Sequence, residues 1–370
     1  GEMEGRDEVG PRGASSPSAE EDHRGSADEA PDEDQSCGLN CFLSTVLAAY
    51  ICTRKCNVSR VTAEFAFFPP SPSTYALHRS EEGSGEVALM TLNFPDSPPG
   101  VIKLKDIGIS CFFARTASRA SIPIFFYPSL RSSATAVDKH DWSNEWLIIF
   151  AHGNATDCGV MMPYFQEMVR ELKVSVMGVE YVGYGEATGG RPSATGAKQS
   201  MLAAYEEALR LGFLPSHIVL CGQSIGSGAV CYLASQRKVA GVVLISPIAS
   251  GLSTISPGGL CSPACVFSCF EPFDNEARVR QIQQPIFIIH GTRDEEVPCT
   301  HGQRLHDKAA SPYPPFWVEG AGHSDVIETN PREYYRLLRT FLASLHATRE
   351  PQSLQVVVSG TPASQVRTWT

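Results

Sequence analysis

Ser224 stands in the pentapeptide Gly222-Gln223-Ser224-Ile225-Gly226, directly after the apolar run 217–222 ("HIVLCG") and at the head of the helical pattern 225–236. A serine between two glycines at a strand-to-helix turn is the arrangement of a nucleophile elbow. The turn presents the hydroxyl, and Gly222 and Gly226 leave room where helix and strand cross. A hydroxyl is a weak nucleophile, so it needs a base, and the base needs an orienting carboxylate. In chain order the candidates are Asp294, four residues past His290 and after the apolar run 285–291, and His323, on a glycine-flanked loop after the run 314–320. His301 and His306 fall inside a helical pattern, His346 lies at the end of the ordered pattern, and Glu295 and Glu296 read as solvated charges before a helix. Ser224, Asp294 and His323 are therefore the expected nucleophile, orienter and base. A tetrahedral intermediate also needs donors aimed at its oxygen. The peptide N–H of Ile225 is one. The second is expected from the loop "HGNATDCG" after the run 146–153, at Asn154, with Ala155 as the neighbouring option and His152 as a brace of that loop. Such a set performs acyl transfer through a covalent acyl-enzyme and requires no metal and no organic cofactor.

The elements that must carry these residues alternate. Short runs rich in β-branched and aromatic residues occur at 87–93, 108–114, 122–127, 146–153, 174–181, 217–222, 241–246, 285–291 and 314–320. The first three are expected to form antiparallel hairpins. The later ones are nearly continuously apolar, as in strands covered on both faces. Helical patterns lie between them at 161–172, 197–211, 225–236, 301–310 and 331–345. Alternation of this kind predicts an α/β fold: a mostly parallel sheet with helices on both faces and an antiparallel N-terminal edge. Ligands of such sheets bind at the carboxyl ends of the strands, where all three candidate residues fall.

The 370 residues carry a formal net charge of −10. Residues 1–36 hold twelve acids against three arginines, which is −9 of that total, with no aromatic residue. This stretch reads as a disordered acidic leader, and it has none of the basic character of a signal peptide. The remainder is close to neutral, so nucleic acid is excluded as a partner. Residues 37–65 open with "CGLNCFLSTVLAAYICTRKC", and the uncharged run 35–53 is marginal in length for a membrane span. On a helix, Cys37, Cys41, Cys52 and Cys56 share an arc of about 100°. Beside Arg54 and Lys55 they are candidate S-acylation sites that would attach the chain peripherally to the lipid bilayer. Basic residues after the segment and acids before it place the following domain on the cytosolic side. No histidine accompanies these thiols at metal-binding spacing. Cys261, Cys265 and Cys269, spaced i, i+4, i+8, read as one helix face against the core. The hydrolase-like domain is expected over 66–347, with a Ser-rich surface insertion at 116–145 and a tail at 348–370.

Together "HGNATD", "YVGYG", "LCGQSIG", "HGTRDE" and "WVEGAGHSD", preceded by "AEFAFFPPSPSTYAL", resemble the alpha/beta-hydrolase domain-containing protein 17 family. That resemblance implies an α/β-hydrolase fold with an eight-stranded sheet. It also implies a membrane-attached serine hydrolase that removes palmitate from cysteines of S-acylated membrane proteins at the cytosolic face of the plasma membrane or endosomes. The same triad would also serve a carboxylesterase, or a lipase of lysolipids or monoacylglycerols. A non-catalytic, membrane-attached binding protein is the alternative from another class. The acidic leader, the 116–145 stretch and the tail depart from the family pattern.

Overall fold

Side chains that alternate across a strand face two opposite layers, so a strand with both faces apolar must lie between two layers of helix. In the computed structural model, residues 33–54, 61, 64, 66–79, 87–94, 98–129, 140–254, 266–267 and 271–347 are described. Their elements in chain order are α1 (Glu33–Thr53), β1 (Tyr75–Arg79), β2 (Val87–Leu92), β3 (Gly100–Lys103), β4 (Ser110–Arg115), β5 (Ser121–Tyr127), β6 (Leu147–Ala151), α2 (Cys158–Leu172), β7 (Ser175–Val179), α3 (Ala194–Leu211), β8 (Ile218–Gln223), α4 (Gly226–Gln236), β9 (Gly241–Ile245), α5 (Asn275–Val279), β10 (Ile286–Gly291), α6 (Thr300–Lys308), β11 (Phe316–Val318), α7 (Val326–Thr329) and α8 (Pro331–Ala347).

Eight strands form one sheet in the order β4-β5-β7-β6-β8-β9-β10-β11. β5 runs against both of its neighbours, and every other pairing from β7 to β11 is parallel. This is the mostly parallel sheet with an antiparallel N-terminal edge that the alternating pattern predicts, with the eight strands that the family resemblance implies. The five parallel pairs bring the carboxyl ends of β6, β8, β10 and β11 to one rim, where the candidate loops begin. The run 87–93 behaves differently. It becomes β2 in a separate antiparallel sheet with β1 and β3, two short strands with too little apolar pattern to be read in advance.

Residue parity divides the core. Ile149, Leu220, Leu244 and Ile288 face α3 and α4, where Met201, Ala204, Val230 and Leu233 meet them. Their neighbours Ile148, Val219, Val243 and Phe287 face α2 and α8, against Phe165, Met168, Leu338 and Phe341. Each such fully buried side chain is worth about 1.5–3 kcal/mol relative to exposure, and a one-residue slip of register would exchange the two layers.

Two boundaries need correction. The stretch 116–145 is not an insertion throughout. β5 occupies 121–127 inside the sheet, and Trp142 is buried, stacked on Phe213 at 5.2 Å and edge-on to Phe126 at 5.1 Å. The insertion boundary was drawn across the run 122–127, itself expected as a strand, and of that stretch 130–139 lie outside the described residues. Likewise α1 begins at Glu33, within the stretch read as leader. The rest of the leader, the tail 348–370 and Cys56, Cys261, Cys265 and Cys269 lie outside the described residues.

Along α1, Asn40, Ser44 and Ile51 are buried on one stripe, while Cys41, Phe42, Val46 and Cys52 are exposed. Cys37 falls within the helix, though its side chain is outside the description. At its end Tyr50 donates to Glu64 Oε2 (2.5 Å), and Arg54 pairs with the same oxygen at 3.1 Å. Among the described residues no helix is long and apolar enough to cross a membrane.

Candidate active site

β8 ends at Gln223 and α4 begins at Gly226, so Ser224 must reverse the chain within two residues. It does so at φ 50°, the left-handed region, which costs a non-glycine residue about 1–3 kcal/mol. The surroundings hold that conformation. The Ser224 N–H bonds the Ile245 carbonyl at 2.9 Å, and the Ser224 carbonyl accepts from both the N–H (3.0 Å) and the hydroxyl (2.6 Å) of Ser227. Ser227 Oγ in turn accepts the Ile248 N–H at 3.1 Å and the Asn275 amide at 3.3 Å. Both glycines are required by contact: a side chain at Gly226 would collide with the Ala151 carbonyl, and one at Gly222 would come within 2.9 Å of the Gly226 carbonyl.

The three predicted residues converge. His323 Nδ1 lies 2.7 Å from Asp294 Oδ2, and His323 Nε2 lies 3.0 Å from Ser224 Oγ. Because the carboxylate only accepts, Nδ1 carries the proton and Nε2 is left to accept from the serine hydroxyl. The loops that bring Asp294 and His323 together are tied to each other. The Thr292 N–H bonds the Val318 carbonyl at 3.0 Å and the Arg293 N–H bonds the Ala321 carbonyl at 2.8 Å. Ser246, at the end of β9, donates to the His323 carbonyl at 3.4 Å.

Electrostatics follow from the bonds. Burial pushes the Asp294 carboxyl up, but hydrogen bonds from His290, His323 and the Val297 N–H outweigh it and hold the group well below the usual carboxylate range. For His323 burial works downward, yet the hydrogen bond and charge of Asp294, with Glu296 behind it, raise the imidazole above its ordinary 6.5.

Ile225 has φ −57° and ψ −30°, so its peptide lies at the head of α4, among the N–H groups that find no partner within a helix. The second loop lies against the nucleophile: a side chain at Gly153 would stand 3.8 Å from Ser224 Cβ. Asn154 follows, and its side chain has a task not read from the sequence. Oδ1 accepts the Phe68 N–H and the Tyr184 hydroxyl, each at 2.8 Å, and Nδ2 donates to the Ala66 carbonyl at 3.0 Å. Ala155 beyond it adopts φ 52°. His152 is buried and braces this loop as expected, with Nε2 2.9 Å from Glu180 Oε1 and Nδ1 2.8 Å from the Gly153 carbonyl.

The donor atoms of His152, Cys158 and Glu180 lie within 4.8 Å of one another. Their chemistry does not suit a metal. Glu180 Oε2 already accepts from the Tyr75 hydroxyl (2.8 Å) and the Cys158 N–H (3.1 Å), and burial, followed by the charges of Glu180 and Asp157, pushes the Cys158 thiol far up.

No family model matches the chain. Alpha/beta hydrolase domain-containing protein 17B of Xenopus tropicalis is 32% identical over 290 residues, covering 78% of this chain and 93% of the relative. The human 17B protein is 31% identical over 290 residues with the same two coverages. The chain belongs to the alpha/beta hydrolase domain-containing protein 17 family. Among solved structures, the Pyrococcus furiosus esterase Pf2001 superposes with TM-score 0.50 at 17% identity, covering 66% of this chain and 96% of that one. Est1E of Butyrivibrio proteoclasticus, with ferulic acid bound, gives TM-score 0.52 at 17% identity, covering 64% of this chain and 99% of that one. At such identities these neighbours establish the fold, and family and fold together make this chain an alpha/beta hydrolase.

In this family member, three residues near the site escaped sequence reading. Asp157 caps α2, accepting the Gly159 and Val160 N–H groups at 3.0 and 3.2 Å, and also bonds Thr74. An aspartate before a helical run is a legible cap. Glu180 is a lone acid ending an apolar strand, and nothing local marks its buried role. His290 was noted only as a landmark for Asp294, yet its Nε2 lies 3.0 Å from Asp294 Oδ2.

Proposed function

We propose that this alpha/beta hydrolase is a serine hydrolase that cleaves acyl thioesters, removing fatty acyl groups from S-acylated proteins at the cytosolic face of a membrane. The observation that carries the reading is the chain Ser224–His323–Asp294, with bonds of 3.0 and 2.7 Å on a nucleophile held at φ 50°. Ser224 Oγ attacks the acyl carbonyl as His323 Nε2 takes its proton. The peptide N–H groups of Ile225 and Asn154 receive the oxyanion, and Asp294 stabilises the imidazolium. Collapse of the intermediate expels the substrate cysteine's sulfur, which leaves with the proton from His323. Water, activated by the same imidazole, then hydrolyses the acyl-serine and releases the fatty acid. Each step uses groups of this chain and water.

Attachment to the bilayer is supported by α1, whose exposed side carries Cys41 and Cys52 for acylation beside the apolar Phe42 and Val46. A thiol-linked lipid on the enzyme and a thiol-linked lipid on the substrate would meet in the same leaflet.

The test is hydrolysis of a palmitoyl-cysteine peptide in direct competition with a monoacylglycerol, with Ser224→Ala as control. The expected result is preference for the thioester and loss of at least about 10⁴-fold of activity in the folded Ser224→Ala variant. Preference for the glycerol ester would make the chain a lipase. A burst without turnover on any acyl substrate would make it a binding protein.

A further inference from the structure

His290, the penultimate residue of β10, is fully buried, and its Nε2 lies 3.0 Å from Asp294 Oδ2 and 2.8 Å from the Val297 carbonyl. Both neighbours are acceptors, so Nε2 carries a proton and shares it between them. Nδ1 is buried with no hydrogen-bond partner among the described residues, and it faces Gly302, where any side chain would come within 2.6 Å of it. An N–H at Nδ1 would be desolvated and unpaired, so the neutral Nε2–H tautomer is the stable one.

The two oxygens of Asp294 are used differently. Oδ1 accepts the peptide N–H groups of Glu296 (3.1 Å) and Val297 (2.8 Å). Oδ2 receives both imidazoles, His323 at 2.7 Å and His290 at 3.0 Å. The carboxylate is thus anchored through Oδ1 by its own loop, whether or not His290 donates. What His290 changes is the charge on the oxygen that faces the base. We propose that His290 is a positioning residue that sets the basicity of His323: by donating to Asp294 Oδ2 it weakens the carboxylate's hold on the His323 Nδ1 proton. His323 is then neutral, and able to accept from Ser224, at lower pH than Asp294 alone would allow. This rests on the triad reading above.

Other charged or titratable groups face this cluster. Glu296 lies on the same loop, Cys299 precedes α6, His301 and Arg304 are on α6 and Glu276 is on α5. His301 is held down to about 4, by burial first and then by Arg304, so it stays neutral while His323 titrates. Burial and the charge of Asp294 raise the Cys299 thiol, which likewise adds no charge in that range.

The experiment compares pH profiles of kcat/KM on an acyl thioester for the wild type, His290→Phe and His290→Gln. Phe fills the site without a donor, and Gln restores an N–H. A neutral hydrogen bond lost from Oδ2 moves the acid limb of the Phe variant upward by about 0.5–1 pH unit, with Gln remaining beside the wild type. An unmoved or lowered limb in Phe, or a Gln variant that follows Phe, overturns the proposal. Imidazole ¹⁵N NMR of the wild-type protein decides it without any variant. His290 is expected as a single Nε2–H tautomer throughout the titration of His323, and a protonated Nδ1 or a bare Nε2 overturns it. Failure of the triad reading would show elsewhere, as hydrolysis that survives Ser224→Ala.

Discussion

The side chain of Asn154 accepts the peptide N–H of Phe68 at 2.8 Å, across 86 positions of sequence. The segment leading from α1 into the domain is thereby bonded to the loop whose peptide is proposed to receive the oxyanion. Ala66 and Tyr184 complete the brace. Asn154→Ala keeps the peptide N–H but frees its loop. We expect kcat to fall about tenfold or somewhat more, short of the 10²–10³ for deleting an oxyanion donor outright. The three lost bonds should also cost about 1–3 kcal/mol of stability, read from denaturant melts. A variant with wild-type kcat would show that the side-chain brace is not what holds this peptide in place.

In the proposed mechanism the pair His323–Asp294 sets the pH response. His323 must be neutral to accept a proton, and it is raised above 6.5, so kcat/KM is expected to climb with pH through a limb lying above that value. Asp294→Asn should lower kcat by about 10⁴-fold and move the limb downward, since the group that raises the imidazole is gone. Stability follows with opposite signs for the two partners. The depressed Asp294 contributes stability above its ordinary 3.8 that is lost as the pH falls below it. The raised His323 contributes below 6.5, and its share is lost as the pH rises through the folded-state value. Melts across the pH range check both.

Gly226 lies where a methyl group would meet the carbonyls of Ala151 and His152. These are backbone atoms of the central strand and the site loop, which have little room to yield. Gly226→Ala should cost about 1–3 kcal/mol as overpacking. It should also abolish fluorophosphonate labelling of Ser224 by displacing β6 from α4. Full labelling would mean the elbow tolerates a side chain there.

Membrane attachment is expected to reside in α1 and its flank. Changing Cys37, Cys41, Cys52 and Cys56 to Ser should move the protein into the soluble fraction while leaving hydrolysis of a short soluble thioester unchanged. Retention on membranes after loss of all four thiols would assign binding to the exposed Phe42 and Val46 face. Replacing those two residues by Ser separates the contributions.

Much of this molecule was legible in one dimension. The eight runs from 108 to 320 all became strands of the main sheet; the first two do so as an antiparallel hairpin, and the six from 146 onward because an apolar run next to a helical pattern buries both faces between helices. Ser224, Asp294 and His323 were legible because each sits in a short motif at a strand end. β1 and β3 were not: residues 100–103 are almost wholly exposed, and pairing with β2 alone makes them strands. Trp142 was misread with its serine-rich surroundings, since composition does not reveal that a single ring stacks on Phe213.

The sequence by itself determined the sheet, its helices and the three residues that the fold brings into one hydrogen-bonded chain, since periodicity and motif are local properties of a chain. Tertiary structure alone decided which atoms share which bonds. Asn154 reaches Phe68, Glu180 receives the hydroxyl of Tyr75 105 residues away, and Asp294 Oδ2 takes two imidazoles while Oδ1 takes none. Hydrogen bonds depend on distances of a few tenths of an ångström between remote atoms. No spacing along the chain encodes those distances; they are set when the layers close.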